Sequence, residues 1–302
     1  MGQAIIFGAG GQTGRYLQQL LIAEGTTVCG ASRQSSDRRT DIRDFTQVES
    51  LIRDLQPDSV FHLAANSTTS HDTLFENQAT IMNGTLNVLE AVKRHAPQAR
   101  VFITGSGLQF VNNGRPIDEL APFHASSPYA VSRIGSVYAA RYYRSFGLRI
   151  FVGYLFNHES PLRPIRHVSQ MVASAAAAIA AGKQTILEIG DLSVRKEWTF
   201  AGDIAAAIHT LVKQDQVQEA VIGSGQAFSI EQWVAECFGP LGMDWKSLVR
   251  TRPDFRAQYN VLVSNPATMR YLGWTPRVSF QELAQLMVRH AADVITGGTL
   301  AG

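Results

Sequence analysis

The sequence predicts an α/β protein built on a doubly wound parallel sheet, with a smaller C-terminal α/β lobe. Two observations carry that prediction. Short, nearly uninterrupted apolar runs rich in Val, Ile and Phe alternate with amphipathic helical segments through the first half of the chain, as parallel strands covered by helices on both faces do. A glycine-rich turn, GAGGQTG at 8–14, joins the first apolar run to the first helical segment.

Taken in order, the strand-like runs are QAIIFGAG (3–10), TTVCGAS (26–32), DSVFHLAA (58–65), ARVFITG (99–105) and LRIFVGYLF (148–156). The segments between them, at 12–25, 45–56, 83–96 and 127–147, read as helices. After about 157 the rhythm changes to SPLRPIRH, a helix, a short strand TILEIG, a helix from Asp203, a strand-like EAVIGSG, and helices near 229–238 and 278–295. The expected division is therefore 1–156 for the first domain and 157–302 for the second lobe, with the chain crossing back to the first sheet. There is no internal repeat.

Of 302 residues 45% are hydrophobic, enough for a sizeable core. A net charge of +2 with 17% charged residues excludes a strongly basic nucleic-acid binder and a disordered acidic chain. The one mild cationic cluster, RRTDIR at 38–43, reads as a solvated loop. Cys29 and Cys237 have no metal-ligand spacing and make no disulfide framework, so no metal is expected and a reducing cytoplasm is the simplest setting. Met1 runs straight into an apolar segment without a basic leader. VASAAAAIAAG (172–182) is too short to span a membrane and reads as a packed helix.

The glycine turn has the spacing G-x-x-G-x-x-G at Gly8, Gly11 and Gly14, with Gly10, Gln12 and Thr13 completing it. Glycine lets a backbone turn tightly and approach a pyrophosphate, and the following helix offers unpaired N–H groups and its positive end. Placed between a strand and a helix, the turn predicts a Rossmann-type nicotinamide dinucleotide site rather than a packing turn. At the end of the second run, where an acid would hold a ribose 2′-hydroxyl, stand Ser32 and Arg33. A guanidinium fork suits a 2′-phosphate, which favours NADP(H). Asp41 lies where a residue approaches the adenine.

SPYAVSRIG at 127–135 places Tyr129 and Arg133 on one helical face. With the glycine turn and HLAA (62–65), it resembles the extended short-chain dehydrogenase/reductase family. FNHESPLR (156–163) is similar to the FNHESPRR segment of GDP-mannose 4,6-dehydratases, and KEWTFAGD (196–203) to their RDWGHAKD. DFRAQYNVLVSNPATMRYLGWTP (254–276) is similar to their FRPxE…LxGDPxKAxxxLGWxP. Related GDP-4-keto-6-deoxymannose reductases share much of this pattern.

The resemblance implies a soluble NADP-dependent enzyme acting on a GDP-sugar, with hydride transfer at the sugar C4. It implies cofactor contacts from the glycine turn, Ser32, Arg33, Asp41, Ile42, Leu63, Ala64, Ala65, Tyr129, Arg133, His158 and Arg163. His158 read alone is equally a satisfied buried histidine. Asn157, Val168, Lys196 and Arg256 fall on positions that hold the sugar nucleotide. Tyr129 becomes the proton-exchanging group; a neighbouring cation stabilises a tyrosinate, and Arg133 stands where the family has lysine. The family's Thr-Ser-Glu string is here Gly105-Ser106-Gly107, so its threonine and its elimination base are missing. Ser106, or else Thr104, is the candidate replacement for the hydroxyl. The reductase or 4-dehydrogenase reading therefore stands beside the dehydratase reading. A catalytically silent NADP-binding sensor is the reading from another class. The family also implies a homo-oligomer, a dimer or tetramer, paired through helices like 73–95 and 128–146.

Overall fold

The computed structural model describes residues 2–34 and 37–297; 298–302, the end of the expected second lobe, lie outside the described residues. The main sheet has seven strands: β1 (Gln3–Phe7), β2 (Thr27–Ser32), β3 (Arg38–Arg39), β4 (Ser59–His62), β5 (Arg100–Ser106), β6 (Arg149–Leu155) and β7 (Glu219–Ile222). All neighbours are parallel, in the order β7-β6-β5-β4-β1-β2-β3. The chain leaves β1 toward β2 and then returns to place β4 on β1's other side. A crevice opens outside the carboxyl ends of these strands, at that switch point.

Eight principal helices cover the sheet and build the second core: α1 (Gln12–Ala23), α2 (Phe45–Leu55), α3 (Gly84–His95), α4 (Pro128–Arg144), α5 (Val168–Ala180), α6 (Ala201–Val212), α7 (Ile230–Phe238) and α8 (Phe280–Thr296). Their ends follow local chemistry. The Asp44 carboxylate accepts from the Thr46 and Gln47 amides to start α2. Ser127 caps α4 at the Ala130 amide, with Pro128 in the first turn. Ser229 with Gln232 and Ser279 with Glu282 form reciprocal capping boxes on α7 and α8. By contrast α1 starts at Gly11 with no side-chain cap, so its first-turn amides remain available to a ligand.

One core lies between the sheet and α2, α3 and α4, through Leu51, Val88, Leu89 and Val137. A second lies on the opposite face under α1 and α6, through Leu17, Leu21, Ile204 and Ile208. The third is separate and joins α5, α7 and α8, where Trp198 stacks on Trp233 at 4.5 Å. Thus α6 and β7, which follow residue 157, complete the first sheet. The TILEIG run forms Leu187–Ile189, parallel to Val249–Thr251.

The helical path into α3 starts at Leu74, ahead of the 83–96 pattern and in line with the helix that the resemblance implies over 73–95, and passes through a π-type turn, Gln78–Asn83. Such wider turns concentrate at functional sites. Here Thr80, inside the turn, lines a cavity at the end of the sheet.

Candidate active site

The crevice divides into two cavities that share Gly8, Gly11, Leu63 and Ala65. One, of about 620 Å³, lies over β2; the other, of about 240 Å³, lies over β5 and β6.

Between them the glycine turn has no room for side chains. Gly8 has φ +89°, and a Cβ there would stand 2.7 Å from the Ala64 amide nitrogen. A Cβ on Gly14 would stand 2.4 Å from the Gly8 carbonyl oxygen. These contacts press β1's end, α1's first turn and the 63–65 segment together, leaving backbone at the cleft surface. Gln12 and Thr13 hold the turn in place. The Gln12 amide donates to the His158 carbonyl at 3.0 Å and accepts from Ser160 Oγ at 2.8 Å. Thr13 Oγ1 lies 2.9 Å from His158 Nε2. His158 Nδ1 lies 2.8 Å from the Phe156 carbonyl, which accepts only, so Nδ1 carries the proton and Nε2 accepts from Thr13. Burial, with the nearby Arg163 charge, lowers the His158 pKa to about 4. His158 is thus a neutral, fully satisfied strut between α1 and the loop after β6, and it also lines the smaller cavity.

The larger cavity collects Gly10, Ser32, Arg33, Asp41, Ile42 and Ala64. Arg33 is half-exposed and reaches only to 3.7 Å from Glu76, a loose pair that leaves its guanidinium able to meet a phosphate. The Asp41 carboxylate is instead engaged by Arg43 Nε at 2.9 and 3.0 Å and Nη2 at 2.5 Å, and that hydrogen bonding holds its pKa below the usual carboxylate value. The sequence reading missed Arg15 and Arg166, which line the same cavity. Arg15 could have been found, because it directly follows Gly14 in the first turn of α1; Arg166 sits in the proline-rich SPLRPIRH stretch, where nothing local marks it.

In the smaller cavity the α4 pair meets the end of β5. Tyr129 and Arg133 are both buried and both line it, with the guanidinium carbon 5.1 Å from the tyrosine ring centre. Arg133 Nη1 donates to the Thr104 carbonyl at 2.6 Å, while its Nε is buried with no partner. Arg133 has no carboxylate within ion-pair reach among the described residues. Thr104 Oγ1 donates to the His62 carbonyl at 2.7 Å. Ser106 Oγ accepts from the Leu108 amide at 3.2 Å, and the Gln109 side chain accepts from the Ser106 amide at 2.8 Å. Of the two candidate hydroxyls, Thr104's proton is already committed; that of Ser106 is not.

The residues expected on the sugar-nucleotide side are dispersed. Asn157 lines the smaller cavity, and the Tyr259 hydroxyl stands 3.4 Å from its Oδ1. Lys196 is buried, its Nζ 3.6 Å from Glu159 Oε1 and 4.4 Å from the Trp198 ring centre. Burial lowers the Lys196 pKa against the pull of Glu159. Glu159 also takes Arg163 Nε at 3.1 Å and the Ser169 hydroxyl at 2.6 Å. Burial would raise its pKa, but Arg163 and Lys196 outweigh it and hold the carboxyl ionised. Val168 is half-buried at the start of α5 and Arg256 is exposed, both outside these cavities. A third cavity of about 480 Å³ adjoins the smaller one through Gly107, Leu108 and Leu262, and is lined by Asn112, Asn113, Gln258 and Asn260. No His, Cys, Asp and Glu grouping suited to a metal ion occurs among the described residues.

A parallel doubly wound sheet with a glycine turn at its switch point and a Tyr–Arg pair at the end of β5 defines the class: extended short-chain dehydrogenases/reductases. Residues 5–287 match the family described as GDP-mannose 4,6 dehydratase, and the chain belongs to that family. It is 31% identical to GDP-mannose 4,6 dehydratase 2 of Arabidopsis thaliana, over 94% of this chain and 85% of that protein. It is 29% identical to GDP-mannose 4,6-dehydratase of Sinorhizobium fredii, over 97% of each. Among solved folds, RMD from Pseudomonas aeruginosa, complexed with NADPH, superposes with a TM-score of 0.84 at 22% identity, covering 97% of this chain and 100% of that one. UDP-glucose 4-epimerase of Thermus thermophilus, with NAD, superposes with a TM-score of 0.82 at 22% identity, over 96% and 98%.

Proposed function

We propose that this protein is an NADP-dependent enzyme that exchanges hydride at C4 of a GDP-sugar, with Tyr129 handling the C4 oxygen's proton. The observation that carries the reading is the buried Tyr129–Arg133 pair: a guanidinium with an unpartnered Nε, lining a cavity whose floor is uncapped helix amides and glycine backbone. Such a cleft fits a nicotinamide dinucleotide, with Arg33, Arg15 and Arg166 at the end that would take a 2′-phosphate. The bound nicotinamide supplies or accepts the hydride. Tyr129 donates its proton to a carbonyl oxygen at C4, or takes one from a hydroxyl there. Arg133 places a permanent positive charge 5.1 Å from the ring centre. Ser106, whose hydroxyl hydrogen is uncommitted, orients the reacting oxygen.

The second lobe, from about 157 but excluding the segment that completes the sheet, holds the sugar nucleotide through Asn157. Arg163 and Lys196, gathered on Glu159, set positive charge behind it. The reading extends to a reducing cytoplasm, in keeping with the two free cysteines, and to a homo-oligomer: Phe75, Tyr138, Tyr142 and Phe146 are 83%, 58%, 61% and 47% exposed on the helical stretch before α3 and along and just beyond α4. Sedimentation of a Tyr138→Glu, Tyr142→Glu variant should show a smaller species than wild type; identical sedimentation would refute that face.

The central test is Tyr129→Phe, assayed with NADP⁺ and GDP-mannose and with NADPH and a 4-keto GDP-sugar. Loss of a positioned proton-transfer group is expected to lower kcat by about 10²–10⁴-fold with cofactor affinity kept. Normal turnover would refute the assignment.

A further inference from the structure

The reacting end of the cleft is unusual in what it lacks. No Asp or Glu among the described residues lines the smaller cavity or the third cavity that adjoins it. The nearby acids are spoken for elsewhere. Glu159 is buried under Arg163 and Lys196, and Glu119 accepts from the Val221 amide at 2.6 Å. Glu76 lines only the far, β2 end of the crevice. Of the histidines, His158 has both ring nitrogens engaged, and His124 is exposed on the outer cavity.

The gap is built in by packing. Gly105 pairs in register with Tyr154, and a Cβ on Gly105 would stand 2.5 Å from that ring. A Cβ on Gly107 would stand 2.8 Å from the Phe156 ring. Both rings are buried, and Tyr154 is locked by its hydroxyl to Glu219 at 2.5 Å. Two aromatic side chains of β6 and its exit therefore occupy the space that side chains at the end of β5 would need. A larger residue returns there only if β6 changes with it.

Resting on the C4 hydride reading above, we propose that this cleft works on oxygen-bound protons only: it interconverts a ketone and an alcohol at one carbon of a nucleoside diphosphate sugar and removes no proton from carbon. Loss of water across two ring carbons needs, besides Tyr129 at the C4 oxygen, a second base for a C–H proton beside the ketone, and among the described residues the lining of the smaller cavity supplies no carboxylate and no free imidazole for it. The step balances without it. Hydride passes from a reduced nicotinamide to the carbonyl carbon, the C=O π bond becomes a C–O single bond, and the oxygen takes the Tyr129 proton. Solvent then reprotonates the tyrosinate. Run toward reduction, the ketone must come from a separate reaction that oxidises or dehydrates the sugar nucleotide.

The test incubates the whole protein in D₂O with GDP-mannose and NADP⁺, and separately with a 4-keto-6-deoxy GDP-sugar and NADPH, following product mass. The expected result is gain of two hydrogens by the ketone, or loss of two by the alcohol. Neither water loss nor carbon-bound deuterium should appear above the protein-free rate. Water loss, or enzyme-dependent deuterium on carbon, overturns the proposal while leaving the hydride reading standing. No hydride exchange with either sugar overturns the hydride reading and this inference with it. A thermal readout checks the packing independently of turnover. Gly107→Glu should lower the Tm by several degrees, and the drop it causes should be smaller when measured in a Phe156→Ala background, where the ring it would strike is absent. A Gly107→Glu protein as stable as wild type would show that Phe156 does not exclude a carboxylate.

Discussion

At the scale of single residues, the features that were legible are those whose chemistry is local. The glycine turn announces itself because three glycines at fixed spacing between a strand and a helix have few other uses, and Gly8 and Gly14 do stand where any Cβ would strike backbone. Tyr129 and Arg133 share a face because a helix puts them one turn apart. Arg33 was readable from its place at the end of β2, whereas Arg15 and Arg166 reach the same cavity from other elements. The three cations make cofactor choice a residue-scale prediction. Arg33 holds only a long pair to Glu76, so replacing it costs the fold little. Charge-assisted hydrogen bonds to a phosphate are worth about 1.5–3 kcal/mol. Arg33→Ala should therefore weaken NADPH binding roughly ten- to hundredfold with little change for NADH. Fluorescence titration of both nucleotides reads this directly, and equal weakening of the two would remove Arg33 from the 2′-phosphate.

At the scale of elements, the strands and most helices follow from apolar runs and capping residues, but what one element does to another is not written in either alone. Nothing local in ITGSG shows that Tyr154 and Phe156 occupy the space beside its glycines; that depends on β5 and β6 lying in parallel register. Likewise the sequence around His158 fits either a cofactor ligand or a satisfied histidine. The structure joins it to α1 through Thr13 and to its own strand's exit through the Phe156 carbonyl. This strut yields a prediction. In Thr13→Val the shape is kept, but the partly buried His158 Nε2 loses its donor. An unsatisfied buried acceptor costs about 1–3 kcal/mol, so thermal unfolding should shift down by several degrees. Because the same bond fixes the first turn of α1, dinucleotide affinity should fall too. A variant with unchanged Tm would mean that the Thr13 hydroxyl is replaced by water at no cost.

At the scale of the whole molecule, buried titratable groups set how the fold answers to pH. His62, His158 and His167 have pKa values lowered to about 3, about 4 and about 4, in each case chiefly by burial, with a neighbouring arginine adding to it. Each is neutral in the fold, while the unfolded chain takes up a proton near pH 6.5. Their stabilising contribution is whole above pH 6.5 and is lost as pH falls toward about 4, at up to about 1.4 kcal/mol per pH unit for each histidine. Glu219, which Arg141, Tyr154 and Arg144 hold down to about 2 against its burial, extends the loss at lower pH in the same direction. Glu197 and Asp203, whose pKa values burial raises, act oppositely by binding protons earlier in the fold than outside it. Two of the three histidines, His158 and His167, lie on the segment that joins the sheet to α5, and His62 ends β4, so their protonation acts at the crevice and at the start of α5. Denaturant unfolding from pH 7.5 to 5 should therefore show stability falling with acid from about pH 6.5, with cofactor affinity falling ahead of it. His158→Gln should reduce the slope by about one proton. A stability that is flat across this range would mean that these imidazoles gain water and protonate without unfolding, and that the crevice is more open in solution than their burial implies.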